Sequence, residues 1–199
     1  MSCFSIRLAT FDDAAPIQRI YAPIVQDTPI SFEMKPPSIE EMQGRIASTL
    51  HLFPWLVCLQ DGEIAGYAYA GSHSERAAYR WSVNVSVYIH PAHHRRGVGR
   101  ALYTSLFEIL KRQGFYNAYA GVTLPNVASV GLHESLGFKP VGVYEAVGYK
   151  CGKWHSVGWW QCLLQDRSPS PIEPRSLADV QADSLWQTLL NAGLPFLQS

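Results

Sequence analysis

Val83–Leu102 reads VNVSVYIHPAHHRRGVGRAL, and the change of period inside it decides the fold. Val83, Val85, Val87 and Ile89 alternate with Asn84, Ser86, Tyr88 and His90, the period of two that marks a half-buried strand. Pro91 ends the alternation because proline cannot donate to a strand ladder. After Gly97 and Gly99 the apolar positions become Val98, Leu102, Leu106, Ile109 and Leu110, which is helical spacing over Gly97–Arg112. A strand, a short glycine loop and a helix therefore follow one another. The first N–H groups of such a helix lack partners and sit at its positive dipole end, so they suit a phosphate. Arg95, Arg96 and Arg100 add guanidinium groups beside them. The segment reads as a cradle for a diphosphate.

Two other phosphate loops are excluded by residue type. A nucleotide P-loop closes its glycine run with Lys-Ser or Lys-Thr, where this chain has Arg100-Ala101. A dinucleotide fold needs a third glycine three residues on and an acidic residue about 20 further; Leu102 and Arg112 occupy or flank those places.

The rest of the chain bounds the protein class. Its 199 residues fit one domain with an appendage. Apolar residues make up 47% and charged residues 16%, enough for a sizeable core. Sixteen basic and 16 acidic side chains give zero formal charge, which argues against nucleic acid or an anionic membrane as partner. No apolar run reaches the 18 or so residues of a membrane span, and the start MSCFSIRLATFDD lacks the pattern of a signal peptide. Cys3, Cys58, Cys151 and Cys162 show neither a C-x-x-C pair nor zinc spacing. A cytoplasmic protein with reduced thiols is expected. His90, His93 and His94 cluster, but Arg95 and Arg96 beside them would repel a cation, so no metal is expected.

Periodicity places a strand at Phe4–Leu8, a helix over Asp12–Val25, and an ordered loop over Thr28–Pro37 with three prolines. Ser38 and Glu41 form a capping box for a second helix reaching Leu50. Trp55–Leu59 and Ile64–Ala70 are strands around Asp61-Gly62, a hairpin turn signal. Asn117–Thr123 is a strand, Asn126–Leu136 a helix, and Val141–Ala146 and Val157–Leu164 a last strand pair. The expected fold is α+β, with residues 1–165 as the main domain. A Pro/Ser-rich linker spans 166–176. A C-terminal amphipathic appendage covers 177–199, with Leu177–Leu194 as one helix and Leu177, Val180, Leu185, Trp186, Leu189 and Leu190 as its stripe.

Strand, helix and loop then combine with short ordered pieces. These are Ser31-Phe32-Glu33, Pro54-Trp55-Leu56-Val57, Ile64-Ala65-Gly66-Tyr67-Ala68-Tyr69, Arg76-x-x-Tyr79-x-Trp81, and Ser86-Val87-Tyr88-Ile89. Further on come Leu124-Pro125-Asn126, His133-Glu134-Ser135-Leu136-Gly137-Phe138 and Gly152-Lys153-Trp154-His155-x-Val157. From about Phe4 to Leu163 the chain resembles the phosphinothricin and methionine-sulfoximine branch of the GNAT superfamily of N-acetyltransferases. The residues after Asp166 lie outside the resemblance.

The resemblance implies a GNAT fold with a mixed central sheet, acetyl-CoA as acetyl donor, a small amino-acid-like amine as acceptor, and a homodimer. It implies that Val87, Tyr88, Ile89, His94, Arg95, Arg96, Gly97, Val98, Gly99, Arg100, Ala101, Asn126 and Ser129 bind the donor. His94 stands where the family carries Gln or Arg. Phe32, Arg76, Tyr79 and Trp81 would line the acceptor site as an enclosed patch, the arginine fork suiting a carboxylate or phosphinate. His133 takes the place of the residue that protonates the leaving thiolate. The family glutamate that acts as base falls on Asn84, and an amide cannot take a proton; Glu33 is the substitute to consider. Asn126 reads equally as a plain helix N-cap. Two alternatives follow from Asn84 and from the breadth of the superfamily: a binder of acetyl-CoA with weak or no catalysis, and a protein N-acetyltransferase. Gly99→Val is expected to obstruct the donor phosphate.

Overall fold

A computed structural model describes residues 3–198; Met1, Ser2 and Ser199, which the segment assignments include, lie outside the described residues. In chain order the elements are β1 (Phe4–Leu8), α1 (Ala14–Asp27), α2 (Ile39–Leu50), β2 (Trp55–Gln60), β3 (Glu63–Ser72) and β4 (Ser82–Ile89). There follow α3 (Val98–Gln113), β5 (Asn117–Leu124), α4 (Val127–Ser135), β6 (Lys139–Lys150) and β7 (Lys153–Leu163). Local chemistry sets several boundaries. Ser38 Oγ accepts from the Glu41 N–H at 3.1 Å while Glu41 Oε2 accepts from the Ser38 N–H at 2.7 Å, the reciprocal cap that starts α2. Asp61 and Gly62 both take positive φ, 52° and 90°, the left-handed pair of the β2–β3 hairpin. Gly114 ends α3 at φ 102°.

The strands form one sheet in the order β1-β2-β3-β4-β5-β7-β6. Every neighbouring pair is antiparallel except β4 with β5. That parallel pair is joined only from Ser82↔Asn117 to Asn84↔Tyr119. Beyond Asn84 and Tyr119 the two strands run on without pairing, which opens a cleft in the middle of the sheet.

Each face of the sheet carries its own core. Leu102, Leu106, Ile109 and Leu110 of α3 pack on Leu56, Cys58, Val83, Val85, Ala118 and Ala120. On the other face Ile17, Tyr21, Met42 and Ile46 pack on Trp55, Val57 and Tyr67. Trp55-Leu56-Val57-Cys58 is apolar throughout because β2 is buried on both faces.

The chain after β7 departs from expectation. In place of one helix over Leu177–Leu194 there are two short ones, α5 (Leu177–Gln181) and α6 (Trp186–Asn191), and a 3₁₀ turn at Leu194–Phe196. Asp183 makes the break. Its Oδ1 accepts from the Leu185 N–H at 3.4 Å, and its Oδ2 accepts from Arg112 Nε at 2.7 Å and Arg175 Nη1 at 3.3 Å. Leu185, expected in the apolar stripe, is exposed. Leu177, Val180 and Leu190 are buried in the α3 core of the same chain. No helix among the described residues is long and apolar enough to cross a membrane.

Candidate active site

The cleft between β4 and β5 is a small cavity of about 60 Å³. Val85–Tyr88 form one wall and Ala120–Thr123 the other, with Tyr103, Asn126, Ser129 and His133 across the floor. Asn126 is the N-cap of α4, its Oδ1 accepting from the Ser129 N–H at 3.1 Å; its Nδ2 stays available at the cleft, so capping and ligand contact are compatible. His133 is only 3% exposed. Its Nδ1 lies 2.7 Å from the Ser129 carbonyl, which can only accept, so Nδ1 carries the proton. Nε2 therefore accepts from the Tyr103 hydroxyl at 3.1 Å. Burial holds the imidazole below its ordinary range, with the Ser129 bond opposing, so His133 stands neutral. Burial likewise pushes the Tyr103 hydroxyl up.

At the mouth of the cleft the chain turns through Arg95 at φ 61° and Gly97 at φ 82° into α3. The first bond of that helix is Ala101 N–H to Gly97 O at 2.9 Å, so the N–H groups of Val98, Gly99 and Arg100 precede it. His94 Nε2 donates to the Ile89 carbonyl at 3.1 Å and closes the turn. Gln60 Oε1 accepts from His93 Nδ1 at 3.0 Å and Arg96 Nη1 at 3.1 Å. The glycines serve packing that the sequence does not reveal. A Cβ at Gly99 would lie 3.0 Å from Leu132 Cδ2 of α4. A Cβ at Gly97 would strike the Phe196 carbonyl of the C-terminal turn. That turn also lays the Phe196 ring 5.6 Å from the Arg100 guanidinium.

The Ser31–Glu33 loop is pinned rather than free. Tyr21 Oη is 2.8 Å from Ser31 Oγ and donates to Glu33 Oε1 at 2.8 Å. Arg45 holds both Glu33 oxygens, at 2.7 and 2.9 Å. The ion pair with Arg45 keeps the Glu33 carboxyl below the usual carboxylate range, although partial burial opposes it. A carboxylate so engaged is a poor proton acceptor. Lys150, at the end of β6 and buried, donates to the carbonyls of Val25, Ser31 and Glu33 at 2.6, 2.6 and 2.8 Å. Its own carbonyl lies 2.9 Å from His155 Nε2. Phe32 fits against Gly148, where any side chain would meet the ring.

Arg76, Tyr79 and Trp81 do not form the enclosed patch expected of them. Arg76 and Tyr79 are exposed on and before a short 3₁₀ turn at Ala77–Tyr79. Trp81 Nε1 donates to the Ile172 carbonyl at 2.7 Å, so the linker covers the indole and leaves the arginine open to solvent. Asn84 stands on the last paired rung, and its Oδ1 lies 2.9 Å from His73 Nδ1. His73, Tyr103, Lys150 and Arg45 escaped the sequence reading. None carries a motif, because each is recruited by a partner distant in sequence.

The chain is similar in sequence and fold to known acetyltransferases. The family model described as an acetyltransferase (GNAT) domain matches residues 6–159, so the linker and both tail helices fall beyond it. A phosphinothricin N-acetyltransferase of Streptomyces viridochromogenes is 38% identical over 85% of this chain and 93% of its own length. An L-methionine sulfoximine/L-methionine sulfone acetyltransferase of Salmonella typhimurium is 33% identical over 82% of this chain and 96% of its own. Among solved structures, a GNAT superfamily phosphinothricin acetyltransferase of Sinorhizobium meliloti, in complex with acetyl-CoA, superposes with a TM-score of 0.81. It is 31% identical, covering 85% of this chain and 94% of that one.

Proposed function

We infer that this chain, which belongs to the GNAT acetyltransferase family, moves acetyl from acetyl-CoA to the amine of a small amino-acid-like molecule. The observation that carries the reading is the unpaired stretch of β4 beyond Asn84, running straight into the glycine loop. Its main-chain groups on the β5 side are free to take an extended arm as a strand would be taken. The Val98, Gly99 and Arg100 N–H groups wait at its end for a diphosphate.

In this reading Val87, Tyr88 and Ile89 hydrogen-bond the pantetheine arm, with Asn126 and Ser129 facing it from α4. His94–Ala101 hold the diphosphate, with Arg95, Arg96 and Arg100 supplying charge. Anchoring the thioester in the cleft makes the reaction effectively intramolecular, the largest gain a two-substrate transfer can take from positioning. His133, neutral and proton-fixed at Nδ1, keeps Nε2 open to a proton. That proton is the Tyr103 O–H, which Nε2 holds at the floor of the cleft, and the departing thiolate takes the proton that the acceptor nitrogen sheds. Arg76, exposed ahead of β4, suits the carboxylate of an amino acid, and Phe32 and Tyr79 are the exposed aromatic rings available to its side chain. The names of the relatives support phosphinothricin or methionine sulfoximine as the type of acceptor.

The reading includes a homodimer and a cytoplasmic setting. The edge strand β6 exposes Val141, Val143, Tyr144 and Val147, an unpaired edge and an apolar row that a second copy would cover. Cys3, Cys58, Cys151 and Cys162 are free thiols, which suits a reducing compartment.

The test is thiol release from acetyl-CoA over a panel of phosphinothricin, methionine sulfoximine, methionine sulfone, common amino acids and a peptide with a free N-terminus. Turnover on a small α-amine is expected. Binding without turnover on any amine, or turnover on the peptide alone, would overturn it.

A further inference from the structure

We propose that His73 is the general base of the acetyl transfer and that Asn84 is its positioning partner. This rests on the acetyl-transfer reading above and adds the group that takes the amine's proton. Asn84 and Tyr119 make the last rung before β4 and β5 part, so they stand at the closed, reacting end of the cleft. Asn84 itself cannot accept a proton. Glu33 is committed to Arg45, and His133 is buried with Nδ1 fixed on the Ser129 carbonyl.

His73 is carried to that rung by β3. The register pairs Gly71 with Asn84 and Ser72 with Val83, so the residue after β3 lies across the top of the pair. Its imidazole stacks on Tyr119 at 4.3 Å between ring centroids and meets the edge of Tyr79 at 5.7 Å. Nδ1 is 2.9 Å from Asn84 Oδ1. An amide oxygen only accepts, so the proton sits on Nδ1 and the lone pair on Nε2, the tautomer a base requires. Nε2 makes no hydrogen bond to the described residues, and the half-buried ring keeps access to water. The titratable groups packed on it are Tyr119 of β5 and Tyr79 of the 3₁₀ turn, and exposed Glu75 and Arg76 follow it in the chain.

The proton balance is complete with water and the two substrates. The acceptor arrives as an ammonium and loses two protons in becoming an amide. His73 Nε2 takes the first, and Asn84 Oδ1 steadies the resulting imidazolium through Nδ1–H. The freed nitrogen pair forms the C–N bond to the thioester carbon, and the C–S bond breaks with its electrons on sulfur. The second N–H proton balances the thiolate, and His73 returns the first to solvent.

The test is the pH profile of kcat/KM for the preferred amine at saturating acetyl-CoA, in wild type, His73→Gln and Asn84→Asp. His73→Gln should lose about 10²-fold near neutral pH, recover as alkaline pH supplies free amine, and bind acetyl-CoA as wild type does. Asn84→Asp places a carboxylate on Nδ1–H, stabilises the imidazolium and should move the acid limb of the profile to higher pH. An unchanged rate and profile in His73→Gln, or an unmoved limb in Asn84→Asp, would overturn the proposal. Wild type that acetylates no amine would instead overturn the function on which it rests.

Discussion

Gln198 donates its backbone N–H to the carbonyl of Arg96 across 3.0 Å, so the end of the chain is hydrogen-bonded to the back of the glycine loop. The bond uses a carbonyl and leaves the loop's N–H groups to a ligand. Together with the Phe196 ring on Arg100, it ties a segment beyond the family match to the donor site. Removing residues 194–199 should raise the KM for acetyl-CoA with kcat retained. The cation–π contact alone holds the tail on Arg100 by about 1 kcal/mol. Buried Leu190 keeps α6 in place, and an unchanged KM in the truncated chain would separate the tail from cofactor binding.

Gly99→Val should lower both melting temperature and acetyl-CoA affinity because its side chain meets Leu132, displacing α4 and the Asn126 it carries. Adding Leu132→Ala should recover much of the loss. Calorimetry on the single and double variants checks this; no recovery would return the obstruction to the phosphate itself.

Lys150→Met leaves the carbonyls of Val25, Ser31 and Glu33 without their common donor. Each unsatisfied buried acceptor costs about 1–3 kcal/mol, so a lower melting temperature is expected. The KM for the amine should rise more than that for acetyl-CoA, because the freed loop carries Phe32.

His133 gives a signed pH dependence of stability. Its folded value is lowered by burial from the ordinary 6.5, so the unfolded chain binds more protons in the window just below 6.5. Stability is then complete above that value and falls as the pH drops through the window. His133→Phe should flatten the melting-temperature profile there; an equally steep profile would contradict the assignment.

Asn84→Glu should rescue His73→Gln by placing a carboxylate on the same rung, and should gain much less in the wild-type background. Steady-state kinetics on the double-mutant cycle reads the coupling directly.

The strand, glycine loop and helix around Gly97 were legible because their residues are neighbours in sequence and the period changes from two to 3.6 within one stretch. The capping box at Ser38 and the Asp61-Gly62 turn were legible for the same local reason. The tail was misread because helical spacing in Leu177–Leu190 does not register Asp183, whose carboxylate takes the Leu185 N–H, Arg112 and Arg175. The openness of Arg76 and Tyr79 and the contact of Trp81 with the linker were not legible, because that linker carries no periodicity. His73 was invisible since its meaning depends on β3–β4 register, which places it over Asn84 and Tyr119. Glu33 stood out as a carboxylate, yet only the fold shows that Arg45 has already engaged it.

The most direct test of the central claim follows the labelled carbonyl carbon of [1-¹³C]acetyl-CoA by NMR in the presence of the full chain and its preferred small amine. The label should move from thioester to amide, with one free thiol for each amide formed and no free acetate. A label that stays in the thioester, or appears only as acetate, would contradict acetyl transfer by this chain.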